Sequence, residues 1–266
     1  MALRRARTRA GAAALAMGAL AATGCMGAAG APPDAGVERL RPTVLAEVPH
    51  DPAAFTQGFE IAGPVLYEGT GRVGESQLRE LDPATGAVRR AVPVPGGYFG
   101  EGITVVDHRI WQLTWQDGVA IEWDRASLTR LREVPVDGEG WGLCRDGDRL
   151  VRSDGTDRLR FHDPVDFTET GSVAVALDGW PVTALNELEC VDGQVWANVW
   201  QTDDIVRIDP VTGAVTAVVD ATGLLAADRR AGTDVLNGIA HLGAGEFLLT
   251  GKYWPATFRV RFVPQP

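Results

Sequence analysis

The sequence predicts an all-β fold, a five-bladed β-propeller whose last blade is closed by an N-terminal strand. Three observations carry that expectation. From about Pro42 onward, short alternating apolar segments are separated by Gly, Asp-Gly and Asp-Pro turns, the pattern of half-buried strands. Long amphipathic segments are scarce, and only residues 224–231 (LLAADRRA) read as a short helix. The strand segments also recur with a period of about 40–50 residues, four to a unit, which is the spacing of four-stranded blades.

The units follow one another in order. The first joins GFEIAGPVLYEGT (58–70) to QLRELDPATGAVRRAVPV (77–94), and the second joins GITVVDHRIWQLTW (102–115) to AIEWDRASLTRLREVPV (120–136). GLCRDGDRLVRSDG (142–155) leads into LRFHDPVDFTETGSVAV (159–175), and ELECVDGQVWANVW (187–200) into IVRIDPVTGAVTAVVD (205–220). Each second half is a strand ending near an Asp, a short turn and another strand. The fifth unit, GIAHLGAGEFLLTGKYW (238–254) and ATFRVRFV (256–263), supplies three strands. Its missing strand is expected from residues 42–48 (PTVLAEV), because joining both chain ends in one blade leaves no open seam. A β-sandwich would not require five similar units.

Composition narrows the partners. The 266 residues are 45% hydrophobic and 23% charged, a globular profile. A formal net charge of −10 excludes the electrostatic footprint of a nucleic-acid binder. Every cationic side chain is Arg except Lys252.

The domain organisation expected is a signal peptide of lipoprotein type at 1–24, a flexible tether at 25–41 and a propeller catalytic domain at 42–266. Residues 1–24 have a basic start (Arg4, Arg5, Arg7, Arg9), an Ala- and Gly-rich apolar run and small residues before Cys25. That run is too short for a spanning helix. Cys25 is the expected lipidation site, which gives a cell-envelope or secreted location with membrane contact only through the anchor; plain secretion is the alternative. GAAGAPPDAG (27–36) cannot bury a core. Cys144 and Cys190 occupy similar places in neighbouring units. They would bridge adjacent inner strands if their Cα atoms came within about 7 Å, and otherwise remain two buried thiols.

Propeller geometry gathers the loops at either end of the innermost strands around a central mouth. Those positions hold Gln57, Glu101, Trp115, Trp141, Asn186, Trp200 and Lys252, an expected aromatic-walled pocket with one carboxyl, two amides and one ammonium. Trp111, Trp123 and Trp196 fall within strands and read as packing residues. The four histidines have no HExxH spacing, and no GxSxG or phosphate-cradling loop occurs.

Nine motifs, in order, then resemble one family. HDPAAFTQGF (50–59), FGEGIT (99–104), QLTW (112–115), EGWGL (139–143), SDGT (153–156), LNELE (185–189), VWANVWQTDDIVRIDP (195–210), VLNGIA (235–240) and LTGKYWP (249–255) resemble the plant-type glutaminyl-peptide cyclotransferases. The likeness runs over about residues 45–263. It implies a five-bladed propeller and metal-independent conversion of N-terminal glutaminyl residues of peptides to pyroglutamate with release of ammonia. It implies no catalytic zinc; no cofactor for catalysis is expected, a structural ion in the channel has room, and a monomer is expected. Carried over by position, it makes Glu101 and Lys252 catalytic. Phe55, Gln57, Phe99, Trp115, Trp141, Asn186 and Trp200 become substrate-binding, with Gln57 and Asn186 as hydrogen-bonding groups and Lys252, a Trp indole N–H or Asn186 as oxyanion donors. Two other readings stand beside it: a calcium-dependent propeller lactonase or esterase, and a non-catalytic envelope propeller that binds another protein.

Overall fold

The computed structural model describes residues 36–266; the expected signal segment and Cys25 lie outside them. The described chain is all-β, with two single-turn 3₁₀ helices.

Three four-stranded antiparallel sheets follow in chain order. The first is β2 (Thr56–Ala62), β3 (Val65–Thr70), β4 (Gln77–Leu81) and β5 (Val88–Pro93). The second is β6 (Gly100–Val106), β7 (Arg109–Thr114), β8 (Val119–Asp124) and β9 (Thr129–Pro135). The third is β10 (Leu143–Asp146), β11 (Arg149–Arg152), β12 (Arg158–His162) and β13 (Glu169–Ala174), followed by a small hairpin, β14 (Ala176–Leu177) and β15 (Trp180–Pro181). The remaining sheet has eight strands: β16 (Leu185–Val191), β17 (Gln194–Val199), β18 (Asp204–Ile208) and β19 (Val215–Asp220), then β1 (Glu38–Pro49), β22 (Ala256–Pro264), β21 (Glu246–Gly251) and β20 (Leu236–Gly243).

The recurring Asp of the sequence has a local cause. Between the third and fourth strands, Asp82, Asp163 and Asp209 each turn one carboxylate oxygen onto two backbone N–H groups just ahead, and Asp124 accepts from Ser127 in the same way. These are Asx turns, a hydrogen-bonded alternative to continued ladder. Asp192-Gly193 closes β16 on β17 with both residues at positive φ, as a two-residue hairpin requires.

β1 does more than supply one missing strand. It runs antiparallel to β22 from Leu40↔Pro264 to Pro49↔Ala256, and its first residues, Glu38 to Leu40, pair in parallel with Ala217 to Val219 of β19. The reason lies in β19, which reads VTAVVD, whereas the outer strands β5 and β9 carry Arg89, Arg90, Arg130, Arg132 and Glu133. A charged edge resists pairing with another chain, and an apolar one needs a cover. Residues 224–231 do not form the expected helix. Only Ala227–Arg229 makes a 3₁₀ turn, with no side-chain cap on Ala226 to satisfy its free N–H groups.

The first strands β2, β6, β10, β16 and β20 lie against one another, each touching at least two of the others, without sharing a backbone ladder. Side chains substitute for the ladder. Glu187 accepts from Phe59 N (3.1 Å) and Ile239 N (2.8 Å), Glu189 from His241 N (2.8 Å), and Glu60 from Val105 N (3.0 Å). Glu187 and Glu189 are buried, because inner-strand N–H groups without ladder partners must find acceptors. Glycines permit the close approach: a Cβ on Gly142 would lie 2.1 Å from the Asn186 carbonyl oxygen.

Cys144 and Cys190 form a disulfide, with Cα atoms 5.5 Å apart, tying β10 to β16. Replacing both with Ala releases a 46-residue separation and should lower stability by about 2–4 kcal/mol. Guanidinium unfolding at equilibrium checks this, and an unchanged midpoint would show that the bridge contributes nothing.

Candidate active site

The ends of the first strands and the exits from the second strands converge on a cavity of about 360 Å³. Phe55 precedes β2 and Gln57 is its second residue; Phe99 precedes β6, which carries Glu101; Asn186 lies on β16. Trp115, Trp200 and Lys252 sit just past β7, β17 and β21, and Trp141 just before β10. All nine sequence-nominated residues line this one cavity, from seven separate stretches of chain. Arg72, Gln201, Asp234 and Val235 line it too and were not singled out by sequence. Trp111, Trp123 and Trp196 are buried elsewhere, in packing.

Aromatic rings form the walls in two groups. Phe55 meets Phe99 edge-on (5.9 Å), Phe99 meets Trp115 (5.6 Å), and Trp141 meets Trp200 at 87° (5.5 Å). Trp115 and Trp200 are 38% and 39% exposed, the open side of the slot. Glu139 fixes two of these rings: its Oε2 accepts from Trp115 Nε1 (2.8 Å) and Trp141 Nε1 (2.9 Å). Those indole N–H groups are therefore engaged, which removes them as oxyanion donors. Sequence reasoning missed Glu139, although it stands in the EGWG motif two residues before Trp141.

Glu101 is 4% exposed. Burial pushes its carboxyl well above the ordinary carboxylate range; the Lys252 charge opposes this and the Glu139 charge adds to it. Lys252, also 4% exposed, is pulled below the usual lysine value by burial, against the attraction of Glu101. Its Nζ stands 4.7 Å from the centre of the Phe55 ring.

A directed hydrogen-bond chain ends on Glu101. Asn237 Nδ2 donates to the Thr56 carbonyl (2.9 Å) and to Gln57 Oε1 (3.2 Å), and Gln57 Nε2 donates to Glu101 Oε1 (2.7 Å). The Thr56 carbonyl can only accept, so it fixes the orientation of both amides. Oε1 is thereby held as an acceptor, and Oε2 is the oxygen that carries or releases a proton. Gln57 serves Glu101 directly. Asn186 is the other amide, and its buried Oδ1 has no partner among the described residues, which leaves it able to accept from a bound molecule.

Known proteins share this arrangement of chain. The glutamine cyclotransferase family model matches residues 14–262. The chain belongs to the glutamine cyclotransferase family. It is 40% identical over 225 residues to a glutaminyl-peptide cyclotransferase of Arabidopsis thaliana, covering 82% of this chain and 70% of that one. The crystal structure of a Myxococcus xanthus glutaminyl cyclase superposes with a TM-score of 0.80 at 38% identity, over 86% of this chain and all of that one. Among the described residues of this family member, no group of three or more His, Cys, Asp or Glu side chains is placed to hold a metal ion.

Asn237→Leu removes the donor that orients Gln57 and should raise the pH at which Glu101 ionises, since a carboxylate that loses a donor is harder to form. The check is the component of the tryptophan-fluorescence pH titration that vanishes in Glu101→Gln. A titration at the parent pH would disconnect Asn237 from Glu101.

Proposed function

We propose that this chain is a glutaminyl-peptide cyclotransferase that closes N-terminal glutaminyl residues of peptides to pyroglutamate and releases ammonia, with Glu101 moving the protons. The observation that carries the reading is one buried carboxyl with one oxygen tied back, set in an aromatic cavity beside a buried lysine.

The α-amine of the substrate attacks its own side-chain carboxamide carbon. A C–N bond forms, the carbonyl becomes an oxyanion, and the bond to the amide nitrogen then breaks. Nucleophile and electrophile belong to one residue, so holding the side chain folded back supplies much of the acceleration. The rings of Phe55, Phe99, Trp115, Trp141 and Trp200 suit that clasp. Glu101 Oε2 takes the proton that the attacking nitrogen loses and returns it to the departing nitrogen, which leaves as ammonia. Its raised pKa makes it a stronger base than an ordinary carboxylate toward an N-terminal amine, whose usual pKa is about 7.7–8.0. Asn186 Oδ1 accepts from the amine and holds it toward the carboxamide. With the Trp115 and Trp141 N–H groups held by Glu139, Lys252, the Asn186 N–H and the Trp200 indole N–H remain as candidate donors for the oxyanion.

Two further readings accompany this one. We infer that the three four-stranded sheets and the two halves of the eight-stranded sheet are the blades of a five-bladed β-propeller with β1 as the closing strand; the mutual contacts of the five first strands support it. We also propose a cell-envelope or secreted location with a lipid anchor at Cys25, and a monomer; the Cys144–Cys190 bridge suits an oxidising compartment.

Ammonia release from a Gln-initiated peptide, with mass loss in the peptide, tests the reaction. Glu101→Gln should lower kcat by about 10²–10⁴-fold without unfolding the chain, and the wild-type rate should survive exhaustive chelation. Near-normal turnover by Glu101→Gln would refute the shuttle, and loss to chelator with rescue by zinc would refute metal independence. Lys252→Ala should lower kcat more than it raises KM; a change in KM alone would make Lys252 a positioning group.

A further inference from the structure

Arg72 is a cation in the cavity wall with unused hydrogen-bonding capacity. Its backbone has φ of 98°, a region that side-chain-bearing residues rarely adopt. Three bonds to its carbonyl hold it there, from Glu75 N (3.0 Å), Ser76 N (2.9 Å) and Ser76 Oγ (2.7 Å). The preceding residue must be glycine, because a Cβ on Gly71 would lie 2.4 Å from the Phe99 ring.

The side chain is built in just as firmly. The guanidinium carbon lies 4.0 Å from the centre of the Phe55 ring, and Nε donates to Tyr253 Oη (2.9 Å). Tyr253 also has a positive φ, 60°, and its N–H donates to the Ala54 carbonyl (2.7 Å). Two residues in disfavoured backbone conformations thus meet through their side chains at the cavity rim. Strain of this kind persists where the surroundings enforce it, and it concentrates at ligand clamps. Among the described residues Arg72 makes no ion pair, and neither terminal guanidinium nitrogen has a hydrogen-bond partner. The other charged rim group, Asp234, caps the N–H of Val235.

We propose that Arg72 binds a carboxylate on the residue that follows the glutamine. This rests on the cyclisation reading above: with the glutaminyl side chain and amine committed to Glu101, the next residue must pass the rim. The ligand is the free α-carboxylate of a Gln-Xaa dipeptide or an Asp or Glu side chain at the second position. Two parallel N–H groups of a guanidinium match a carboxylate as a fork. The same corner gives no such bond to an amide or a neutral second residue, so the chain favours short or acidic glutaminyl peptides.

The test compares kcat/KM by ammonia release for Gln-Ala, Gln-Ala amide, Gln-Glu amide and Gln-Gln amide, using wild type, Arg72→Met, Arg72→Lys and Tyr253→Phe. Wild type should favour Gln-Ala over its amide, and Gln-Glu amide over Gln-Gln amide, by about tenfold, the scale of one charge-assisted hydrogen bond. Both ratios should fall to within about twofold in Arg72→Met, with Arg72→Lys and Tyr253→Phe between. A tenfold preference in the dipeptide pair alone assigns the α-carboxylate, and in the amide pair alone the side chain. Ratios that Arg72→Met leaves intact, or the absence of either preference in wild type, would overturn the proposal. Turnover of the two neutral amides by wild type reports on the cyclisation itself, apart from Arg72.

Discussion

The structure depends on how buried backbone N–H groups are satisfied where neighbouring first strands meet without a ladder. Each such donor costs about 1–3 kcal/mol if left unpaired. Glu187 answers two of them, on β2 and β20, and Glu189, Glu60 and Asn198 answer one each. Three of the strands so fixed, β2, β6 and β16, carry Gln57, Glu101 and Asn186 at their mouth ends. The acceptors that hold the sheets in register therefore also set the spacing of the site. Their own proton affinity rises in consequence: burial raises the pKa of Glu187 and Glu189, with the Glu189 charge adding to the first and the Glu60 charge to the second.

Within the cavity the same logic acts on a smaller scale. Burial raises the proton affinity of Glu101, and one N–H from Gln57 occupies Oε1. Glu139 is a carboxylate of the opposite character: three donors, from Trp115, Trp141 and Gln116, lower its pKa despite partial burial. Two carboxyls at one cavity are thus driven apart, one toward proton transfer and the other toward fixed charge that orients rings.

Much of this was legible in the sequence because it is local. The Asp turns, the Asp-Gly hairpins and the position of a residue at a strand end depend on a few neighbours, so the strand units and all nine cavity residues could be read in register. What escaped depends on contacts between distant segments. Nothing near Glu187 in the chain announces that Phe59 and Ile239 lack acceptors. Gln57 reads as a substrate contact until Asn237, 180 residues away, fixes which way its amide points. Arg72 reads as an ordinary loop arginine, since its ring partners Phe55 and Tyr253 come from opposite ends of the domain. The second pairing of β1 escaped because the apolar character of β19 gives no hint of what covers it.

The cavity holds the chain's solitary lysine, and that has a chemical consequence beyond electrostatics. Every other cationic side chain is a guanidinium, inert toward acylating and carbonyl reagents at neutral pH, whereas an ammonium shifted downward by burial yields more free amine. Among side chains, covalent chemistry selective for primary amines is therefore addressed to a single atom, Lys252 Nζ, inside the cavity. A composition bias has left the molecule with a built-in attachment point for a spectroscopic reporter or an affinity label.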